Sequence, residues 1–183
     1  LDAGGRAIRT CLKNAGLEPV DVDYLVAVTT TGFLCPSLSS HIASDFGFRR
    51  NVQRSDIVGM GCNAGMNGLS SAAALAKANP GKNIMLLTCE ICSAAYVFDN
   101  TMRTAVVNSL FGDGAAAIIL RADEGQSHED GPQLLGFESY LVHEVSREMR
   151  FDYIDGLFSF FLGRDIPYMV GANIEKPVNG LLE

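Results

Sequence analysis

The chain has 183 residues, with 14 Lys and Arg against 21 Asp and Glu, a formal net charge of −7. That balance argues against a sequence-independent grip on nucleic acid, which needs a concentrated basic face. Apolar residues make up 48%, enough for one domain with a substantial core, and no apolar run reaches the ~18 residues of a membrane helix. The five cysteines, Cys11, Cys35, Cys62, Cys89 and Cys92, are odd in number and scattered, unlike a secreted disulfide framework, so a reduced, cytoplasmic protein is expected. The opening residues Leu1 to Arg6 have no basic stretch leading into an apolar one and do not read as a signal peptide. The chain begins without Met, inside a predicted helix, which reads as a piece of something longer.

The first predicted helix runs from Ala3 to Gly16, with Ala7, Ile8, Cys11, Leu12 and Ala15 on one face and Gly16 as its stop. Tyr24 to Val28 is a continuous apolar run, predicted as a strand covered on both faces, and Thr29-Thr30-Thr31-Gly32 forms its hydroxyl-rich exit. A second helix is expected from near Pro36 to Gly47. Asp56 to Met60 reads as another buried strand, running into Gly61-Cys62-Asn63-Ala64-Gly65. A helix of small residues follows to Ala78, stopped by Asn79-Pro80-Gly81; such a helix packs tightly inside a layered structure. Asn83 to Thr88 and Ala115 to Leu120 are predicted strands, with helix over Thr104 to Leu110. The alternation gives an α/β layered domain. Residues 122–132 are acidic and polar, a surface loop, beyond which the pattern weakens around an aromatic cluster at Phe158 to Leu162.

Cys62 is the most informative residue. A strand delivers it to a helix start between glycines, where free N–H groups and the helix dipole favour a thiolate and a second group can approach the sulfur. Such a cysteine is a usable nucleophile; the alternative is an inert cysteine buried in a tight corner. Cys89-Glu90-Ile91-Cys92 has the spacing of a redox pair or half a metal site. No second such pair exists, and His41, His128 and His143 show no ligand spacing to it, so core or pocket residues are the better reading. Leu110-Phe111-Gly112-Asp113-Gly114 lacks the glycine spacing and GK[ST] of a P-loop, so nucleotide binding is not expected. Gly112 to Gly114 read as a tight turn.

Taken together and in order, Thr29-Thr30-Thr31-Gly32 with Pro36, Gly61-Cys62-Asn63-Ala64-Gly65, Cys89-Glu90-Ile91 and Ser109-Leu110-Phe111-Gly112-Asp113-Gly114-Ala115-Ala116-Ala117 resemble the type III polyketide synthases, the chalcone synthase-like branch of the thiolase fold. Asn63-Ala64-Gly65-Met66-Asn67 and Ser93-Ala94-Ala95-Tyr96 look closest to the bacterial dihydroxyphenylacetyl-CoA synthase type. The resemblance implies a layered αβαβα thiolase-like fold, of which this chain carries chiefly the N-terminal half: a single partial domain, with a core half over 1–121, the acidic loop over 122–132 and the start of the second half over 133–183.

By the same resemblance the protein is a CoA-dependent acyltransferase in which Cys62 takes an acyl group as a thioester and is extended from decarboxylated malonyl-CoA. No cofactor and no metal are implied; acyl-CoA and malonyl-CoA are substrates. Phe111 falls on the gatekeeper phenylalanine and Phe160 on the second, five residues before Asp165, with Phe161 the one-step alternative. Thr30 and Thr31 line the cavity, Cys92 and Ala95 shape its volume, and Cys35 lies where a side chain crosses a homodimer interface. The family's histidine and asparagine, and its GFGPG segment, find no match here, and its first, basic segment also looks absent. Two further readings follow: another thiolase-fold condensing enzyme, of the β-ketoacyl-ACP synthase III or hydroxymethylglutaryl-CoA synthase type, or an incomplete subunit that scaffolds a second chain supplying His and Asn. The Leu110 to Gly114 block with Cys89-Glu90-Ile91 favours the polyketide branch.

Overall fold

The computed structural model describes residues 2–123, 132–154 and 156–183. They fall into two compact units, Leu1–Ile91 with Asp113–Gly131, and Cys92–Gly112 with Pro132–Glu183.

The first unit is built on a four-stranded sheet. Helix α1 (Asp2–Ala15) leads to β1 (Tyr24–Thr29), α2 (Leu38–Asp45), β2 (Gln53–Val58), α3 (Ala64–Ala78), β3 (Ile84–Glu90) and, after the chain has passed through the other unit, β4 (Gly114–Leu120). The order across the sheet is β2-β1-β3-β4. β1 runs parallel to β2 and β3, and β4 is antiparallel to β3. Helix α1 ends in a Schellman motif. Gly16 takes φ +64°, the Leu17 N–H reaches the Leu12 carbonyl and the Gly16 N–H the Lys13 carbonyl, so two carbonyls at the helix end find donors.

Alternation along β1 and β3 splits the core between the two faces. Leu25, Ala27, Met85, Leu87 and Cys89 pack with Ile8, Leu12, Leu38 and Ile42 of α1 and α2. Val26, Val28, Ile84 and Leu86 pack with Ala64, Ala72 and Ala76 of α3. Full burial of each Leu, Ile or Val is worth roughly 1.5–3 kcal/mol, so these two central strands and the helix faces that cover them share the unit's apolar stabilisation. The layered α/β reading therefore holds, with helices on both faces of one sheet.

Three expectations change. The strand expected at Asp56 to Met60 lies at Gln53–Val58, and it is an edge strand with no fully buried residue. Only its Ile57 packs against the core, and its Asp56 accepts the N–H and hydroxyl of buried Ser39 at 3.0 and 2.5 Å. Ala15 is exposed, because the buried stripe of α1 runs through Gly4, Gly5, Ile8 and Leu12. Helix α3 buries one face, while Ser71, Ala74, Lys77 and Ala78 are exposed. Its Gly68 is required for close approach: a Cβ there would lie 2.7 Å from Val28 Cγ2 and 2.9 Å from Leu86 Cδ1.

A single carboxylate clamps the starting end of the three parallel strands. Asp23 accepts from Arg49 at 2.8 Å, from Lys82 at 3.2 Å and from the Asn83 N–H at 3.0 Å. Burial pushes its carboxyl up, but the Asn83 N–H and the two cations outweigh it and hold the group below the usual carboxylate range.

The second unit contains α4 (Met102–Leu110), an antiparallel hairpin of β5 (Met149–Ile154) and β6 (Leu157–Leu162), and the helices α5 (Ile166–Asn173) and α6 (Glu175–Leu182). The aromatic cluster read at Phe158 to Leu162 is β6. Helix α4 is capped by Thr101, whose hydroxyl accepts the Thr104 N–H; Thr101 is itself held by Asp99, at 3.0 Å from its N–H and 2.9 Å from its hydroxyl. Most of the acidic stretch, residues 124–131 with His128, lies outside the described residues.

Candidate active site

β2 ends at Val58, and the chain then turns through Gly59 at φ +78° and Gly61 at φ +75°. Nothing lies within 4 Å of where a Cβ at either would sit, so backbone conformation, not space, calls for glycine here. Cys62 sits in a 3-10 turn, Gly61–Asn63, directly ahead of α3. It therefore precedes the α-helix instead of opening it, and its side chain is exposed instead of buried in the corner. Of the inert, buried alternative, the burial does not hold.

The corner is braced from two strands away. The Gly61 N–H donates to Thr30 Oγ1 at 3.1 Å. Thr30 and Thr31 leave β1, and both give their backbone N–H groups to Glu90, at 2.7 Å to Oε1 and 2.9 Å to Oε2. The Thr31 hydroxyl donates to the same Oε2 at 2.7 Å and accepts the Ile91 N–H at 2.9 Å. β1 and β3 pair at a constant offset of 60 residues (Tyr24 with Ile84, Val28 with Thr88), which carried two residues further sets Thr30 beside Glu90. The two threonine hydroxyls expected to line a cavity are thus engaged within the protein. Glu90 was visible in the sequence only as part of a motif; the signal for its role is a carboxylate ending an otherwise apolar strand.

In the second unit, Phe111 caps the end of α4 and its ring meets that of Phe160 edge to face. Phe151, paired with Phe160 across the hairpin, packs on the same ring at 5.2 Å. Phe161 points to the opposite side of the hairpin, where the Arg150 guanidinium covers it at 3.9 Å. The Tyr96 hydroxyl donates to the Phe111 carbonyl, and Asn108 Nδ2 donates to the Val97 carbonyl at 3.0 Å. These bonds fasten the turn Cys92–Ala95, which holds half-buried Cys92 and Ala95, to the end of α4.

Cys35 is exposed on the loop after Gly32, beside Phe33 and Leu34, which are 71% and 51% exposed. Cys89 is buried on the α1 side of β3, its sulfur 3.6 Å from where a Cβ on Gly4 would sit, and burial pushes its thiol up. Among the described residues no group of three or more His, Cys, Asp or Glu could hold a metal ion, and no helix is long and apolar enough to cross a membrane. His41 and His143 are exposed.

The family model described as FAE1/type III polyketide synthase-like protein matches residues 5–136. The chain belongs to this family. It is 49% identical, over its whole length, to a 3,5-dihydroxyphenylacetyl-CoA synthase from Streptomyces toyocaensis, of which it covers 48%. Its fold superposes on PKS-I of the brown alga Ectocarpus siliculosus with a TM-score of 0.86 at 30% identity, over 98% of this chain and 47% of that one. It matches the C-terminal type III polyketide synthase domain of Steely1 from Dictyostelium with a TM-score of 0.83 at 28% identity, covering 99% of this chain and 50% of that domain. The chain thus spans about half the length of the curated relatives it matches, and its fold is the corresponding part of the thiolase-like architecture. Family membership favours the polyketide branch over the other thiolase-fold condensing enzymes.

Proposed function

We propose that this chain carries the nucleophile of a CoA-dependent type III polyketide synthase. The observation that supports it is Cys62: an exposed thiol on a turn set between two left-handed glycines and the start of α3, in a chain of this family. The Cys62 sulfur attacks the carbonyl of an acyl-CoA, CoA departs as its thiol, and the acyl group is held as a thioester. Malonyl-CoA then loses carbon dioxide, and the resulting carbanion attacks the thioester carbonyl; a carbon–carbon bond forms, the bond from the acyl carbon to the Cys62 sulfur breaks with the sulfur leaving as its thiolate, and the lengthened acyl chain is carried on CoA.

Phe111 and Phe160 form the gate between the CoA entry and the cavity, a role supported by their mutual packing; Phe161, turned the other way under Arg150, does not share it. Cys92 and Ala95 set cavity volume, and Thr30 and Thr31 hold the wall beside the corner. Cys35, exposed with Phe33 and Leu34, belongs to a homodimer contact. No cofactor or metal takes part. The histidine and asparagine implied by the family pattern have no matching segment in these 183 residues, so the test uses the full-length protein. Intact-protein mass spectrometry after brief incubation with malonyl-CoA and a starter acyl-CoA is expected to show an acyl adduct that is absent from Cys62→Ala. Product formation persisting in Cys62→Ala removes the proposal.

A further inference from the structure

We infer that Glu90 is a positioning residue for the Cys62 corner, acting through Thr30; the inference rests on the reading of Cys62 as the nucleophile. The chain of contacts is continuous. Glu90 fixes the backbone of Thr30 and Thr31 through three donors on two carboxylate oxygens, Thr30 presents its hydroxyl to the Gly61 N–H, and Gly61 is the residue before Cys62. Gly61 has φ +75° and no neighbour packed where its Cβ would be. Nothing about its own side chain restrains that residue, so its hydrogen bonds do: the carbonyl accepts the Ala64 N–H within the turn, and the bond from its N–H to Thr30 is what ties the turn to β1. A nucleophile that follows two left-handed glycines gains access at the expense of order, and Glu90 supplies the order from the end of a central strand.

The chemistry of the clamp needs a carboxylate and not merely a polar side chain. Two backbone N–H groups face its two oxygens, one each. A glutamine has a single acceptor oxygen, so whichever way its amide turns, its NH2 confronts either the Thr30 or the Thr31 N–H, donor against donor. Glu90→Gln is therefore expected to release the loop while preserving size. Thr30→Val removes the acceptor for Gly61 at nearly constant shape, and Thr30→Ser keeps it.

The test follows acyl transfer to Cys62 in the full-length protein, using malonyl-CoA and a starter acyl-CoA and reading adduct formation against time by mass spectrometry. Glu90→Gln and Thr30→Val are each expected to slow loading by about tenfold or more, in the range that a misplacement of ~1 Å costs a reacting group. Thr30→Ser is expected to recover most of the rate. The double variant is expected to be no slower than Glu90→Gln alone, because both changes break one chain. Alkylation of half-buried Cys11 by iodoacetamide, a reporter of general loosening, is expected to stay at the wild-type rate. Wild-type loading in Glu90→Gln or Thr30→Val overturns the inference, as does slow loading that Thr30→Ser fails to recover or that comes with faster Cys11 alkylation. A wild-type protein with no adduct on Cys62 shows instead that the nucleophile reading has failed, and the inference with it.

Discussion

The rings of Phe111 and Phe160 meet edge to face, 5.1 Å between centroids and 78° between planes. Such pairs contribute about 0.5–1.5 kcal/mol beyond the area they bury, so each ring holds the other at the end of α4. Phe160→Ala in the full-length protein is expected to shift the competition between short and bulky starter acyl-CoAs toward the bulky one. Phe161→Ala is expected to leave that ratio alone, its cost being the stack with Arg150, about 0.5–1 kcal/mol of stability. Competition assays with paired acyl-CoAs check this, and the reverse pattern would put Phe161 at the gate.

Asp23 predicts an acid dependence of stability. Its carboxyl lies below the ordinary range in the folded chain, so as pH falls from about 4 the unfolded chain takes up the proton first. The stability contributed by Asp23 is present above that pH and is lost as pH falls through the lower, folded value. Asp23→Asn is expected to be less stable than wild type at neutral pH and to show a shallower loss of stability in acid, measured by urea unfolding across the acidic range. A variant that tracks wild type at every pH would contradict the clamp.

Features set by neighbours along the chain are legible in the sequence, and those set by distant pairing are not. β1 and β3 were legible because both are covered on two faces, which leaves a continuous apolar run; β2 was misplaced because an edge strand carries no such run and Asp56 serves a hydrogen bond from α2. Cys62 stood out through its neighbours in the chain. Glu90 did not, since its partners lie about 60 residues away and only the parallel register of β1 and β3 brings them together. The antiparallel direction of β4 depends on its pairing with β3, and α5 and α6 bury no residue fully, so no buried stripe marks either helix.

The cysteines are expected to separate by alkylation. Cys62 and Cys35 are exposed, whereas burial pushes up the thiols of Cys11 and Cys89 and so lowers the thiolate fraction on which the reaction depends. Peptide mapping after a short iodoacetamide pulse at neutral pH should find Cys62 labelled well ahead of Cys11 and Cys89, with the lag abolished in urea. Early labelling of Cys89 would contradict its packing against α1.

Gly61 and Gly68 call for glycine on different grounds, and substitution should separate them. Alanine at Gly68 drives a methyl group into Val28 and Leu86 at distances that real Cβ atoms essentially never show, an overpacking of the α3 face expected to cost about 1–3 kcal/mol. Because Val28 and Leu86 belong to the two central strands, that cost should appear as a lower urea midpoint. Alanine at Gly61 meets open space but must adopt φ +75°, a strain of about 1–2 kcal/mol that the turn can relieve by moving. Relief by movement shifts the residue after it, so Gly61→Ala is expected to slow acyl loading of Cys62 more than its stability loss predicts, while Gly68→Ala that remains folded loads at a rate closer to wild type. Urea unfolding and the loading assay on the same two variants decide it: equal loading rates at unequal stabilities would mean that the Gly61 backbone has no part in presenting the sulfur.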